Sequence, residues 1–396
     1  MPLITSLKKR FIDEVCPYCF EYFRFLNAPF RCGNLSCSGR TPDPILKSHW
    51  PVLASGSQGK VLDANQKKSG QVKCDACQHV AKDRLCPNCH VTLPTTFGQC
   101  DNAIVAVVGA KNSGKSNFIA TFVEEFRNRV GPALNITLAP QDDFTIRRFA
   151  TEFRDPLYRE HRVVNVTNSG MRDVNVRLPM VFTLQFGGRN FLNQKTILRT
   201  ITLVFFDTAG EDLKNQSTME TVNRYIYRSH GIILLLDPRQ MNALRSKLVA
   251  DKNEATDEAR DIINRIRTLI VTGRQLDQNQ PIPTPIAVAF SKFDELERFI
   301  DSDMAVVKTR STSNQYDMAD TEAVSTEIES LLDSWQQQGM VHELKMWFSK
   351  VSFFGISSLG CKKREDNTIP HLDPRRVEDP FLWLLYQFGY IKSKSK

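Results

Sequence analysis

The residues Gly109-Ala110-Lys111-Asn112-Ser113-Gly114-Lys115-Ser116 set glycines, a lysine and a hydroxyl at the spacing G-x-x-x-x-G-K-[ST], a pattern that holds phosphate. Glycines let backbone N–H groups curl around phosphate oxygens, and the N-terminus of a following helix adds a favourable dipole. Lys115 would reach the β- and γ-phosphates and Ser116 would coordinate Mg2+. Gly109, Asn112, Ser113, Gly114 and Asn117 complete the candidate cradle. So short a pattern can arise by chance, and its context decides. An apolar run over 104–108 leads in, and Phe118, Ile119, Phe122, Val123 and Phe126 lead out at helical spacing, so the motif lies between a strand and a helix.

Three further stretches extend the chemistry. Phe205-Phe206-Asp207-Thr208-Ala209-Gly210-Glu211 puts an aspartate at the end of an apolar strand, where it can hold Mg2+ through water. Gly210 leaves room for its N–H to meet a γ-phosphate. An ordinary strand-to-turn aspartate is the plain alternative, weakened by the phosphate motif upstream. After a third apolar run come Ser291-Lys292-Phe293-Asp294. Asp294 could accept hydrogen bonds from guanine N1–H and the 2-amino group; adenine lacks both donors there, so a buried aspartate would go unpaired with ATP. Lys292 would lie along the base plane. Ser357 and Ser358, in Gly355-Ile356-Ser357-Ser358, form a candidate loop under the guanine edge.

The second chemistry is that of thiols. Cys74-x2-Cys77-x8-Cys86-x2-Cys89 is a ribbon-type zinc signature, and Cys16-x2-Cys19-x12-Cys32-x4-Cys37 is a second set with a wider last spacing. Two tight knuckles supply four thiolates in a tetrahedron. The expected sites are therefore Cys74, Cys77, Cys86 and Cys89 in one, and Cys16, Cys19, Cys32 and Cys37 in the other, although pairing across the two sets stays open. Disulfides are the alternative, disfavoured in a cytosolic chain. His79 and His90 flank the ligands and read as surface residues; Cys100 and Cys361 read as ordinary thiols. Four cysteines per metal leave no open position for substrate, so these sites would hold a small lobe together rather than catalyse. The lobe's aromatics (Phe20, Tyr22, Phe23, Phe25, Phe30, Trp50) read as core before partner face.

These groups need elements to carry them. Nine of the ten cysteines lie in 16–100, which sets a boundary near Cys100: a cysteine-rich region over 1–100, with a loop-like stretch at 41–72, and a second domain over 101–396. From 101 onward apolar runs (104–108, 180–186, 201–206, 231–236, 286–290, 351–354) alternate with helical patterns near 115–130, 253–272, 321–337 and 379–389. Continuous apolar strands are buried on both faces, so the expected fold is α/β, a mostly parallel sheet flanked by helices with a small N-terminal zinc-binding lobe. Helix starts are expected at Asp320 or Thr321 and at Asp379-Pro380.

The net charge is +8, and 1–100 holds 13 Lys/Arg against 7 Asp/Glu, an excess of +6. Two tetrathiolate zinc sites would subtract about 4, so nucleic acid is not favoured. No apolar run approaches the roughly 18 residues of a membrane span, and the first residues lack a signal-peptide pattern; a soluble cytoplasmic protein is expected.

The series Gly-Ala-Lys-Asn-Ser-Gly-Lys-Ser, Asp-Thr-Ala-Gly-Glu, Ser-Lys-Phe-Asp and Ile-Ser-Ser, in this order, resembles the Ras-like, translation-factor-related P-loop GTPases over residues 101–390. With cysteine ribbons ahead of it, the chain is also similar to the bacterial double-GTPase group with N-terminal zinc ribbons, in which two GTPases pair. The resemblance implies a GTP/GDP switch that uses Mg2+, has a protein partner such as a second GTPase, and attacks the γ-phosphate in line with water. Lys115, Gly210 and Glu211 are then the catalytic set, and loops near 155–178 and 208–220 order with GTP. Three departures qualify it. Ser291 stands where Asn or Thr is usual and would brace its loop less. Glu211 stands where many relatives carry a water-positioning Gln; its carboxylate could accept a proton from water, and turnover would be slow or would rely on another group. Ser116 and Asp207 are 91 positions apart, so an insertion accompanies the first switch. Thr167 is the candidate γ-phosphate sensor, with Thr137, Thr145 and Thr151 as rivals. Arg147, Arg148, Arg154, Arg159, Arg162 and Arg172 could include an arginine finger, or form a solvated basic face. The alternatives are an ATPase, a non-hydrolysing nucleotide-binding scaffold, and a nucleic-acid adaptor.

Overall fold

The computed structural model describes residues 13–66, 71–95, 97, 101–110, 112–164, 178–189, 195–205, 219–248, 258–310 and 314–394. Two four-stranded ladders meet at one stretch of chain. β1 (Asp101–Ala103) and β2 (Val105–Gly109) are separated only by Ile104. β3 (Ile136–Pro140), β4 (Met180–Arg189) and β5 (Lys195–Phe205) form an antiparallel meander whose last strand runs parallel to β1. On the other side β2 is followed by β6 (Gly231–Leu236), β7 (Ile286–Phe290) and β8 (Val351–Gly355), all parallel. At the break, His230 N donates to the Ile104 carbonyl at 2.7 Å while Ile104 N donates to His230 Nδ1 at 3.1 Å.

The apolar runs become strands because both faces are covered. Successive side chains of a strand point to opposite faces. Accordingly Ala106, Val108, Ile232, Leu234, Val288 and Phe290 enter one core, while Val105, Val107, Ile233, Leu235, Ala287 and Ala289 enter the other. The first core is closed by α2 (Met219–Arg228), α3 (Ala259–Arg274), α4 (Met318–Ser334) and α5 (Gln338–Trp347), the second by α1 (Lys115–Glu125) and α6 (Asp379–Gln387). The helices expected at 115–130, 321–337 and 379–389 are present, and most of the one expected at 253–272 appears as α3, while β3, α2 and α5 were not anticipated. Two helix starts differ. Asp317, not Asp320 or Thr321, caps α4 by accepting from Asp320 N at 3.1 Å. Asp379 does not cap α6; its two carboxylate oxygens, 2.7 Å from Arg310 and 2.7 Å from Arg376, are held in a buried ion cluster.

In the N-terminal region short hairpins carry the cysteines. Asp13–Val15 pairs with Tyr22–Arg24, and Val72–Lys73 with Val80–Ala81, while Phe30–Arg31 pairs on both sides, with Val61–Leu62 and Asp83–Arg84. The stretch expected to be loop at 41–72 includes a helix, Pro44–His49, capped by Asp43. Phe20, Phe23, Phe30 and Trp50 are buried; Tyr22 is exposed beneath Arg228. The core does not divide at residue 100: Cys16, Cys19, Phe20, Cys86 and Cys89 belong to the same cluster as Tyr225 and Ile232, and a separate small cluster gathers Phe30, Cys32, Cys37, Leu62, Val72 and Cys74. No helix among the described residues is long and apolar enough to cross a membrane.

Candidate nucleotide site and cysteine clusters

β2 ends at Gly109, where an added Cβ would lie 2.9 Å from the Leu235 carbonyl and against the Ser113 hydroxyl. Only glycine lets the chain turn so closely beside β6. The loop then bends through Asn112 (φ +65°) and Gly114 (φ +82°), both left-handed, which is the conformation that turns successive N–H groups into one concavity. Ser113 N donates to the Ala110 carbonyl at 3.2 Å, and Phe118 N to the Gly114 carbonyl at 2.8 Å, starting α1. Lys115 is buried in its first turn. The Ser113 hydroxyl is buried with no hydrogen-bond partner among the described residues, and a buried polar group without a partner is costly.

The Ser291-Lys292-Phe293-Asp294 loop lies at the end of β7, two strands from β2. Ser291 is buried, and both its N–H and its hydroxyl donate to the Leu236 carbonyl, at 2.9 and 3.2 Å. The short side chain thus braces the loop on β6. Lys292 (φ +55°) sends Nζ to the Asn112 carbonyl of the phosphate loop at 2.8 Å and to Asp237 Oδ2 at 2.5 Å. The Asp294 carboxylate accepts the Ser357 hydroxyl at 2.5 Å. Ser358 is buried beside it in the chain. The structure therefore brings Gly109, Asn112, Ser113, Gly114, Lys115, Ser116, Ser291, Lys292, Asp294, Ser357 and Ser358 to the ends of neighbouring parallel strands and the start of α1.

Asn117 behaves otherwise: its side-chain oxygen accepts from Val164 N at 3.0 Å, tying α1 to the chain entering 165–177. Asp207, Gly210, Glu211, Lys111, Thr167, Arg172 and Cys100 lie outside the described residues. Two of the rival threonines have side-chain partners, and the third is exposed on a strand. Thr137 sits in β3, Thr145 accepts from Val181 N at 3.1 Å, and Thr151 donates to the Arg147 carbonyl at 3.0 Å. The described arginines also have partners. Arg147 bonds the Asp143 carbonyl, Arg148 bonds Glu152 and the Leu178 carbonyl, Arg154 and Arg159 bond Asp155, and Arg162 bonds the Asp366 carbonyl. Sequence reasoning missed Asp237; its signal was an Asp-Pro pair directly after the most apolar strand.

The eight cysteines group differently from the expected sets. The outer pairs join, Cys16 and Cys19 with Cys86 and Cys89, and the inner pairs join, Cys32 and Cys37 with Cys74 and Cys77. This nested pairing follows from Phe30–Arg31, whose two neighbours in the sheet bring the chain after Cys19 beside the chain before Cys86. Sulfur–sulfur distances are 3.9 Å (Cys16–Cys89), 3.8 Å (Cys19–Cys86), 3.6 Å (Cys32–Cys77) and 3.8 Å (Cys37–Cys74). A tetrahedron with Zn–S bonds of about 2.3 Å has edges of about 3.8 Å, so each cluster has the dimensions to hold a metal ion. Three knuckles share one backbone design. Phe20, Gln78 and His90, each following a second cysteine, are left-handed, at φ +60°, +60° and +57°, and donate to the first cysteine's carbonyl. His90 is no ligand; its Nδ1 meets Asp43 at 2.9 Å. Cys361 donates to the His371 carbonyl at 3.0 Å.

A glycine-rich P-loop at the end of a central strand, at the start of α1 and with the Ser291–Asp294 loop two strands away, is the layout of a P-loop nucleotide-binding domain. The family model described as 50S ribosome-binding GTPase matches residues 104–272. The chain is similar to the protein named "Putative ESX-1 scaffolding and assembly protein SaeC" of Mycolicibacterium smegmatis, 24% identical over 330 residues, covering 78% of this chain and 80% of that one. Among solved structures it is similar to the signal recognition particle receptor SRb-GTP/SRX complex of Chaetomium thermophilum (15% identity, 66% of this chain, 92% of that chain, TM-score 0.29). It is also similar to the GTP-bound GTPase-like domain of S. cerevisiae Ski7 (14% identity, 74% of this chain, 51% of that chain, TM-score 0.32). Residues 104–272, which carry the phosphate loop, match that GTPase family, and this part of the chain has the P-loop GTPase fold.

Proposed function

We propose that this protein is a Mg2+-dependent switch that binds GTP, hydrolyses it slowly to GDP and phosphate, and carries a zinc-held N-terminal lobe (1–100) as its partner-binding module, ahead of a GTPase domain over 101–396. The observation that carries this is the Lys292 bridge: a residue of the base-reading loop bonds the phosphate-loop carbonyl of Asn112 at 2.8 Å, while Asp294 beside it is held by Ser357. Base and phosphates would be read by one connected unit.

In this reading Gly109, Asn112, Ser113 and Gly114 cradle the phosphates with their N–H groups, and the orphan Ser113 hydroxyl fits a phosphate-lined loop. Ser116 and Asp207 would hold Mg2+, which when bound neutralises charge on the transferring phosphoryl group. Lys115 offsets the negative charge that grows between the β- and γ-phosphates. The Gly210 N–H holds a γ-oxygen, and Glu211 accepts a proton from the attacking water. Asp294 takes the guanine N1–H and 2-amino donors, Lys292 lies along the base, and Ser358 lines the guanine edge with Ser357. Asn117 serves this site through its backbone and through its hold on Val164. Both four-cysteine clusters would take zinc, with thiolates as the whole ligand set and no position for substrate. The protein would work in the cytoplasm, with a protein partner, such as a second GTPase of the double-GTPase type.

A second reading is a non-hydrolysing nucleotide-bound scaffold. It is supported by the printed name of the Mycolicibacterium smegmatis relative, a scaffolding and assembly protein, and by Glu211. An ATPase would leave Asp294 without purpose. Direct binding of GTP, GDP and ATP, with and without Mg2+, to wild type and Asp294→Asn tests the switch. Selective guanine binding, exchanged for xanthosine nucleotides in the variant, is expected; equal ATP binding would overturn it. Phosphate release from bound GTP then separates the switch from the scaffold.

A further inference from the structure

Asp237 follows β6 directly and is buried. A buried carboxylate is costly unless each oxygen is paired. One oxygen has a local duty: Oδ1 accepts from Arg239 N at 2.9 Å, and Asp237 N donates to Gln240 Oε1 at 2.8 Å, closing the short turn Pro238–Gln240. Capping needs no more than this, and Asn or Ser would serve equally. The second oxygen, Oδ2, meets Lys292 Nζ at 2.5 Å.

Lys292 is in a left-handed conformation, which a side chain with Cβ adopts at a cost. Its ammonium has three donors; one is given to Asp237 and one to the Asn112 carbonyl at 2.8 Å. A flexible lysine beside a phosphate site would otherwise be drawn toward the phosphates. The fixed negative charge of Asp237 offers a competing partner on the base side. The Leu236 carbonyl, one residue before Asp237, is the same acceptor that braces Ser291, so the anchor and the loop it steadies rest on one strand end.

We propose that Asp237 is a positioning residue for guanine recognition: by holding Lys292 against the Asn112 carbonyl it locks the base-reading loop to the phosphate loop. This rests on the guanine-nucleotide reading above, and deepens it.

The test is the dissociation rate of GDP from the full-length protein, for wild type, Asp237→Asn, Lys292→Met and the double variant, with thermal melts of each apoprotein. Asn keeps the cap and removes the charge. GDP is expected to leave about tenfold faster from Asp237→Asn, the scale of one charge-assisted hydrogen bond, and the double variant is expected to be no worse than Lys292→Met. A residue that only caps a turn would leave GDP release unchanged, or would multiply with Lys292→Met; either result overturns the inference. If Asp237→Asn fails to fold, Asp237→Ser, which also caps, takes its place under the same expectations. Asp294→Asn, measured alongside, separates the two levels. A normal xanthosine exchange there with unchanged release in Asp237→Asn sinks only the positioning role, whereas wild-type protein that does not retain GDP sinks both.

Discussion

Ser357 and Asp294 share two hydrogen bonds, the hydroxyl donating to carboxylate Oδ1 at 2.5 Å and accepting from the Asp294 N–H at 2.9 Å. A hydroxyl has one donor and two acceptor lone pairs, so both are satisfied at once. The serine is itself fixed, because its N–H and carbonyl pair with the Arg375 carbonyl and N–H at 3.0 and 2.8 Å. The loop after β8 therefore aims the carboxylate that would read the base. Ser357→Ala is expected to weaken GDP and GTP binding about five- to tenfold, on the scale of one or two lost hydrogen bonds, without altering the preference for guanine. Calorimetric titration of both nucleotides, and of their xanthosine counterparts, checks it; unchanged affinity would remove Ser357 from the site.

What was legible in the sequence was local. The phosphate loop and the Ser-Lys-Phe-Asp loop are set by residue types at fixed spacing next to apolar strands, and those cues survive folding. What was not legible depended on distant chain. The nested cysteine pairing is decided by Phe30–Arg31 choosing two partners, Val61–Leu62 and Asp83–Arg84, and each cysteine pair alone fits either arrangement. Asp379 beside Pro380 looks like a helix cap, yet two buried arginines claim its oxygens. Asp237 looks like a cap and is one; its second duty exists only because Lys292 lies across the sheet. The first cysteine cluster, expected in a separate lobe, shares its core with β2 and α2.

Gly109 and Gly114 make opposite predictions despite serving one loop. At Gly109 a Cβ would stand 2.9 Å from the Leu235 carbonyl and collide with Ser113, whereas at Gly114 nothing lies within 4 Å and only the φ of +82° resists. Gly114→Ala should therefore cost about 1–2 kcal/mol of strain. Gly109→Ala must displace β2, β6 or the loop itself, and should abolish measurable phosphate binding while lowering the melting temperature. Equilibrium GDP binding and thermal melts of the two variants give the order; equal effects would mean that the close approach to β6 is unimportant.

Glu378 should make stability depend on pH in an unusual direction. Burial and the neighbouring Asp379 hold its carboxyl above the usual carboxylate range, and Arg129, 2.8 Å away, offsets this only in part. Its second oxygen is buried without a partner among the described residues. With a raised folded value, the native state keeps a proton that the unfolded chain releases. This carboxyl's shift thus costs nothing below about pH 4.3, the unfolded value, and the cost grows as pH rises from there toward the folded value, above which it stays constant. Glu378→Gln mimics the protonated form and still accepts from Arg129. Its advantage over wild type in urea unfolding should grow as pH rises above about 4.3 and then level off; a constant difference would show that the carboxyl titrates normally.

Removing metal should act differently at the two cysteine clusters. Cys77 belongs to the inner set, beside a small core of Phe30, Leu62, Val72 and Ala81. Cys89 belongs to the outer set, whose knuckle is fastened to the GTPase domain. Tyr18 donates to Asp142 at 2.9 Å, Glu21 pairs with Arg224 at 2.9 Å, Phe20 packs on Tyr225 at 5.2 Å, and Tyr22 lies 3.9 Å beneath Arg228. Tyr225 in turn sends its hydroxyl to the Val105 carbonyl at 2.8 Å and accepts from Val107 N at 3.0 Å, inside the strand that ends in the phosphate loop. Cys77→Ser and Cys89→Ser should each lower bound zinc by one ion per chain. Only Cys89→Ser should depress the melting temperature of the whole protein, by about 5 °C or more on a scale of 2–4 °C per kcal/mol, and only it should speed GDP release, because α2 loses its support. Zinc content by elemental analysis, melting curves and GDP release rates from the two variants decide the matter. If Cys77→Ser proved the more damaging, the coupling through Tyr225 would be wrong.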